Sequence, residues 1–227
     1  MDKYAGVRLV SMARDGAGLT SQRIRDRLVE QLQGAGISNA RVLEAIAKTP
    51  RHLFIDEALT SRAYENTALP IGFGQTISQP YIVALMTQCL VGEQQLSKVL
   101  EVGTGCGYQS AVLSKLVDRL YSVERIEALL DTARQRVRSL GCSNVVFQCA
   151  DGSLGWKQEA PFDGILVAAA PAEIPGELCD QLAEGGRLVI PVGGDDEQRL
   201  LVVTRKGRRF AQQEIERVRF VPLIADA

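Results

Sequence analysis

The sequence predicts an α/β protein: a doubly wound, mostly parallel sheet of seven strands, preceded by an N-terminal helical subdomain. Three observations predict it. From residue 96 onward, short apolar strands alternate with amphipathic helices. A glycine-rich turn, Gly103-Thr104-Gly105-Cys106-Gly107, stands where the first of those strands should pass into a helix. The stretch 162–169 is apolar apart from Asp163 near its start, as expected of a strand covered on both faces.

The elements follow in order. Residues 1–18 mix Asp2, Lys3, Arg8, Arg14 and Asp15 with glycines and are expected to form a flexible extension. A single domain is expected over 19–227, with helices and an irregular stretch over 19–95 and the alternating core over 96–227. Thr20 or Ser21 is expected to cap a helix whose apolar positions Ile24, Leu28 and Leu32 fall four apart, with Gly34 and Gly36 ending it. Ser38 or Asn39 starts a second helix, with Val42, Leu43 and Ile46 on one face, stopped before Pro50. An irregular stretch is expected from Arg51 to about Pro80, and long loops of that kind are often functional. A helix over 81–91 places Val83, Met86 and Leu90 on one side. Strands are then expected at 98–102, 119–123, 144–149, 162–169, 187–192, 200–204 and 214–221. Helices at 107–117, 125–140 and 175–182 follow the first, second and fourth of these, and Gly141 supplies a stop to the second helix. A polar turn over 206–209 joins the last two strands.

Composition narrows the function. The chain has 227 residues, 46% hydrophobic and 23% charged, enough to bury a core without disulfides or metals. A formal net charge of -1 argues against a nucleic-acid footprint, and the cluster Arg205, Lys206, Arg208 and Arg209 reads as a solvated turn. No apolar run approaches the roughly 20 residues of a membrane span, and the N-terminus lacks a signal-peptide core. Cys89, Cys106, Cys142, Cys149 and Cys179 are scattered and odd in number, which fits free thiols in the cytoplasm. His52 is the only histidine, so imidazole chemistry and a metal site are not expected.

Ligands of open α/β sheets bind at the carboxyl ends of strands, where glycines let the backbone approach. A dinucleotide fingerprint needs glycine at the first, third and sixth positions, but here the sixth is Tyr108. A P-loop fails because no Gly-Lys-Ser/Thr follows. The pattern Glu101-x-Gly103-x-Gly105-x-Gly107 resembles motif I of class I S-adenosylmethionine-dependent methyltransferases, whose Rossmann-like sheet fits the predicted fold. Glu124 ends the second strand, twenty-one residues after Gly103, where a carboxylate can accept hydrogen bonds from both ribose hydroxyls. Asp151, followed by Gly152, ends the third strand and resembles the position that meets the adenine. Glu101 would act on the amino end of the cofactor indirectly, through the loop backbone.

A second resemblance concerns the acceptor. Leu69-Pro70-Ile71-Gly72 and Gly74-Gln75-Thr76-Ile77-Ser78-Gln79-Pro80 are similar to the signature of the protein-L-isoaspartate O-methyltransferase family. The stretch 100–108, Val123-Glu124-Arg125, Pro161-Phe162-Asp163, Ala169-Ala170-Pro171, Ile190-Pro191-Val192-Gly193 and Val221-Pro222-Leu223 continue the match in order, over roughly 21–224. The resemblance implies methyl transfer from S-adenosyl-L-methionine to the free α-carboxyl of L-isoaspartyl residues in damaged proteins and peptides, which then repair through a succinimide. It implies that Ser78 is the active-site serine, and that Gln75, Thr76 and Ile77 lie over the cofactor. The cofactor set is completed by Glu101, Gly103, Thr104, Gly105, Cys106, Gly107, Glu124, Arg125, Asp151 and Gly152. Ala169, Ala170, Pro171, Val221, Pro222 and Leu223 would border the peptide groove. In some members a hydroxyl residue follows Val-Pro-Leu and a longer tail covers the cofactor. Here Ile224 stands at that position, which leaves closure from the C-terminus open.

The chemistry agrees with the residues present. A carboxylate with a reference pKa near 4 is already a nucleophile at neutral pH, so no strong base is needed. Ser78 is therefore read as a positioning donor and not as a covalent nucleophile. The expected partners are damaged proteins, with no nucleic acid and no membrane, and a monomer is favoured. Three alternatives stay open. One is a methyltransferase with another small-molecule or macromolecular acceptor, although Ala168-Ala169-Ala170-Pro171 lacks the amide and aromatic that hold a nucleic-acid base. The others are a non-enzymatic module that kept the cofactor pocket, and a nicotinamide reductase.

Overall fold

The computed structural model describes residues 22–194 and 196–225. The predicted extension over 1–18 and the capping residues Thr20 and Ser21 lie outside them. The first helices, α1 (Gln22–Gly34) and α2 (Ala40–Ala47), form where the apolar spacing placed them. Leu28 and Leu32 of α1 and Val42, Leu43 and Ile46 of α2 are buried. The Asn39 side chain caps α2 by accepting from the Arg41 and Val42 amides.

The stretch from Arg51 to Pro80 is not irregular. It contains short 3-10 turns at Arg51–Phe54 and Glu57–Arg62, then a hairpin of β1 (Leu69–Gly72) and β2 (Gln75–Ile77). Leu69 pairs with Ile77 and Gly72 with Gln75, leaving Phe73 and Gly74 as a two-residue turn. Helix α3 (Pro80–Val91) follows, with proline in its first turn, where its missing N–H costs nothing.

The main sheet comprises β3 (Leu96–Val102), β4 (Val117–Glu124), β5 (Val145–Cys149), β6 (Phe162–Val167), β7 (Leu182–Gly193), β8 (Gln198–Lys206) and β9 (Arg209–Val218). Their order across the sheet is β5-β4-β3-β6-β7-β8-β9. The first five are mutually parallel, while β8 is antiparallel to both neighbours. Helices α4 (Tyr108–Leu113), α5 (Glu127–Ser139) and α6 (Gly176–Asp180) connect the parallel strands. The chain moves outward from β3 through β4 to β5, then returns to lay β6 on the other side of β3. Loops leaving the carboxyl ends of β3 and β6 therefore diverge and open a crevice between them.

Both faces of the sheet are covered. Val99, Leu120, Leu166, Val189 and Val202 share one cluster with α1, α2, α3 and α4. Leu100, Val102, Val123, Ile165, Val167 and Leu188 form the other with Leu178 of α6. Val99 and Leu100 thus go to opposite faces, as consecutive strand residues must. Glu101 shares the face of Val99.

Three boundaries differ from expectation. The helix predicted over 107–117 stops at Leu113. A tight turn follows, with the Leu116 amide donating to the Leu113 carbonyl at 2.8 Å, and Val117 opens β4 opposite Leu96. Val112, Leu113, Leu116 and Val117 are all buried, so apolar periodicity could not mark the change of element. The fifth predicted strand begins earlier, at Leu182, with Gly185 and Gly186 inside an irregular register. The last begins at Arg209 and ends at Val218, because its outer half is an exposed polar strand without an apolar stripe.

Candidate active site

The glycine loop lies at the crevice. Gly103, Gly105 and Gly107 have φ of 90°, 55° and 90°, a left-handed conformation that a side chain resists. The Gly103 amide donates to the Val123 carbonyl at 2.8 Å, tying the loop to the end of β4. Gly107 precedes α4 as its cap. A Cβ there would sit 3.0 Å from Val137 Cγ2 and 3.1 Å from Ala133 Cβ, so this glycine lets α5 close against the turn.

Glu124 governs the loop from the neighbouring strand. It is buried, and its two carboxylate oxygens accept from the Gly105 amide at 2.9 Å and the Ile126 amide at 3.0 Å. Each oxygen has a further lone pair. The residue both shapes the turn and offers negative charge to the crevice, which it lines.

Glu101 has a different place. It is fully buried and does not line the crevice. Its Oε2 accepts from Ser110 Oγ at 2.5 Å and from Ser122 Oγ at 2.6 Å, and Ser122 Oγ lies 2.6 Å from Thr104 Oγ1. Since Ser122 has one hydroxyl hydrogen and gives it to Glu101, Thr104 is the donor in the last bond. Glu101 thus reaches the glycine loop through Ser122 and Thr104, from beneath.

Burial, with smaller help from the charge of Glu124, pushes the Glu101 carboxyl up to about 7 against the lowering effect of both hydroxyls. A raised carboxyl favours the folded chain below its unfolded pKa, and that gain is lost as pH rises through the folded value. The chain should therefore lose stability relative to Glu101→Gln between about pH 4.5 and pH 7, by about 3 kcal/mol. Urea midpoints measured in a pH series check this; parallel curves for the two proteins would contradict it.

Asp151 is tied to its own turn. Its carboxylate accepts from the Ser153 amide at 2.8 Å and caps the turn Gly152–Leu154. Gly152, not Asp151, lines the crevice. A Cβ on Gly152 would lie 2.4 Å from Val102 Cγ1, so glycine lets this backbone pack directly on β3.

The hairpin and the residue after β2 contribute a second part of the lining. Gln75, Thr76, Ile77 and Ser78 line the same crevice as Gly103, Thr104, Gly105 and Cys106. Arg125, Ala169, Val221, Pro222 and Leu223 complete it, together with Ile224. Ala170 and Pro171 stand behind this wall. The Ala170 amide donates to the Val221 carbonyl and its carbonyl accepts from the Leu223 amide, both at 2.8 Å, while the Pro171 carbonyl accepts from Gly193. These bonds seat the C-terminal segment beside β6. The crevice encloses about 960 Å³, including space open to solvent. Gly107 supports it without lining it.

Sequence reasoning missed several lining residues, among them Val83, Met86, Tyr108, Ile126 and Leu166. The first two lie on the apolar side of the helix expected over 81–91. Tyr108 carried a signal, since it immediately follows the loop. Its ring packs edge-on to Phe54 and lies 5.0 Å from the guanidinium carbon of Arg51. Arg51 is wholly buried and donates to the Ala63 carbonyl at 2.8 Å, which fixes the segment leading into the hairpin. His52 is bonded to the Tyr64 hydroxyl and is not among the lining residues.

Residues 22–227 match the family model described as protein-L-isoaspartate(D-aspartate) O-methyltransferase (PCMT). The chain belongs to this family. A protein-L-isoaspartate O-methyltransferase of Alcanivorax borkumensis is 59% identical over 207 residues, covering 91% of this chain and 94% of that protein. A solved protein-L-isoaspartate O-methyltransferase superposes with a TM-score of 0.80 at 30% identity, over 87% of this chain and 65% of the other. A Plasmodium falciparum structure described under the same activity, in complex with S-adenosyl-L-homocysteine, superposes with a TM-score of 0.78 at 26% identity, over 89% and 99%.

S-adenosyl-L-methionine is the methyl donor of the protein-L-isoaspartate O-methyltransferase family, and the crevice suits it. Left-handed Gly103 and Gly105 give a backbone cradle without side chains at those two positions. A strand-end carboxylate stands at one side, and Met86, Val83, Ile126 and Leu166 supply apolar wall. A ligand with a ribose, an apolar base and a charged amino-acid end needs that mixture.

Proposed function

We propose that this chain methylates the free α-carboxyl of L-isoaspartyl residues in damaged proteins, with Ser78 positioning the acceptor and the Gly103–Gly105 turn and Glu124 holding the donor. One observation carries the reading. The hairpin segment specific to the family and the glycine turn general to methyltransferases face a single crevice.

Bound S-adenosyl-L-methionine supplies a methyl group on a positively charged sulfur. The acceptor carboxylate is ionised at neutral pH and needs no base. The chain's task is placement, which can lower a barrier by several kcal/mol. Ser78 lies at the end of the hairpin, where its hydroxyl can donate to the acceptor carboxylate and fix one oxygen toward the donor. Glu124 takes ribose hydroxyls on the lone pairs left by Gly105 and Ile126. Glu101 supports the turn through Ser122 and Thr104, and Gly152 opens space beside β3. Arg125 and the Asp151–Gly152 corner border the base, with Gln75, Thr76 and Ile77 above the cofactor and Cys106 in the turn. Ala169, Val221, Pro222 and Leu223 border the peptide, while Ala170 and Pro171 hold that wall in place. The methyl ester releases methanol far more readily than a carboxylate releases oxide or hydroxide. The neighbouring backbone amide nitrogen therefore closes a succinimide as methanol leaves, and water then opens the ring partly to aspartate and partly back to isoaspartate, without further help from the enzyme.

One methyltransferase domain over 19–227 carries the reaction. The chain acts as a monomer in this reading. Five free thiols support a reducing compartment, the cytoplasm. The net charge of -1 and the Ala168-Ala169-Ala170-Pro171 sequence favour protein over nucleic acid as the acceptor. Among the described residues, no helix is long and apolar enough to cross a membrane. Repeated rounds on an isoaspartyl peptide should convert it to the aspartyl form only when S-adenosyl-L-methionine is present, as resolved by chromatography. Conversion that does not depend on the donor would contradict the proposal.

A further inference from the structure

The turn of the β1–β2 hairpin breaks a local rule. Phe73 and Gly74 are its two central residues, with φ of 53° and 69°. A two-residue turn with both centres left-handed strongly favours Asn-Gly or Gly-Gly. A bulky aromatic in that conformation is strained, and Phe73 is the one non-glycine residue with positive φ among those described. Packing does not compensate, because Phe73 is 64% exposed and belongs to neither core cluster. Residues that break a local rule without a compensating contact concentrate at functional positions.

The hairpin's location says what the aromatic would meet. Phe73 is two residues from Gln75, whose side chain donates to the Phe73 carbonyl at 3.3 Å, and Gln75 lines the crevice. Phe73 itself does not line it, and Ile71 is the hairpin residue that approaches the glycine turn, near Gly105. Phe73 therefore stands on the rim. From the C-terminal segment, Ile224 is 46% exposed and lines the same crevice. When a polypeptide presents one damaged residue to the crevice, its flanking residues must cross this rim.

We propose that Phe73 is a specificity-determining residue that packs against an apolar side chain flanking the isoaspartyl residue of the acceptor. This rests on the activity proposed above. Phe73→Asn creates the sequence the turn prefers, so the melting midpoint should rise by about 2–4 °C. The ratio of kcat/KM for an isoaspartyl peptide flanked by leucines over one flanked by glycines should fall about tenfold. The dissociation constant of S-adenosyl-L-methionine should hold within about twofold, since Phe73 is outside the crevice. A peptide ratio that does not move overturns the proposal. So does a lowered melting midpoint, which would make Phe73 a packing residue, or a weakened cofactor, which would make it a cofactor cover. A wild-type chain inactive on both isoaspartyl peptides would instead sink the activity, and this contact with it.

Discussion

Replacing Ser78 with alanine is expected to lower kcat about a hundredfold while the dissociation constant of S-adenosyl-L-methionine stays within about twofold. The magnitude follows from the bond removed. A hydrogen bond to a charged group contributes about 1.5–3 kcal/mol, and 1.4 kcal/mol is tenfold in rate. The hydroxyl also fixes which oxygen of the carboxylate meets the methyl carbon, so its loss lowers the productive fraction of bound acceptor. The selectivity for kcat comes from position. Ser78 follows the hairpin, whereas the groups proposed to hold the ribose and amino-acid end of the cofactor lie in the turn after β3 and at the end of β4. Single-turnover kinetics with isothermal titration of the donor separates the two quantities. A large loss of cofactor affinity with unchanged turnover at saturation would move Ser78 from the acceptor to the donor.

Glu124→Ala is expected to act on the other substrate. Its carboxylate holds the Gly105 and Ile126 amides and presents charge to the crevice. Removing it leaves two backbone donors without their acceptor and deletes the proposed ribose contact. Cofactor affinity should fall about a hundredfold, and stability should fall by about 2 kcal/mol. Glu124→Gln keeps one acceptor oxygen and should fall between the two. Calorimetric titration and urea denaturation read these effects. An unchanged dissociation constant in Glu124→Ala would remove the ribose contact and leave Glu124 a purely structural residue.

The contrast between these two residues shows which parts of the site were legible in sequence. The glycine turn was readable because left-handed backbone at a strand end leaves a residue-type signature, and β6 because burial on both faces leaves an apolar run broken only by Asp163 near its start. Gly141, at φ 76°, ended α5 where expected. The hairpin was not readable. Its two strands are four and three residues long, one contains Pro70, and its turn carries phenylalanine where asparagine or glycine would have announced it. The roles of the acidic residues were only partly visible. Sequence places Glu101, Glu124 and Asp151 alike at strand ends. Pleating then turns Glu101 into the core and Glu124 toward the turn, and a local amide captures Asp151. Val83 and Met86 show the same limit from the opposite side. A helix face that packs on the sheet and one that borders a crevice have the same periodicity.

The central claim, that the cofactor turn and the hairpin jointly select an isoaspartyl carboxylate, is tested most directly by paired peptides that differ only in one linkage. The protein is incubated with methyl-labelled S-adenosyl-L-methionine and either the aspartyl or the L-isoaspartyl form of one sequence. Base-labile label should accumulate on the isoaspartyl peptide alone. Equal labelling of both peptides, or labelling of neither while the donor binds, would contradict the account.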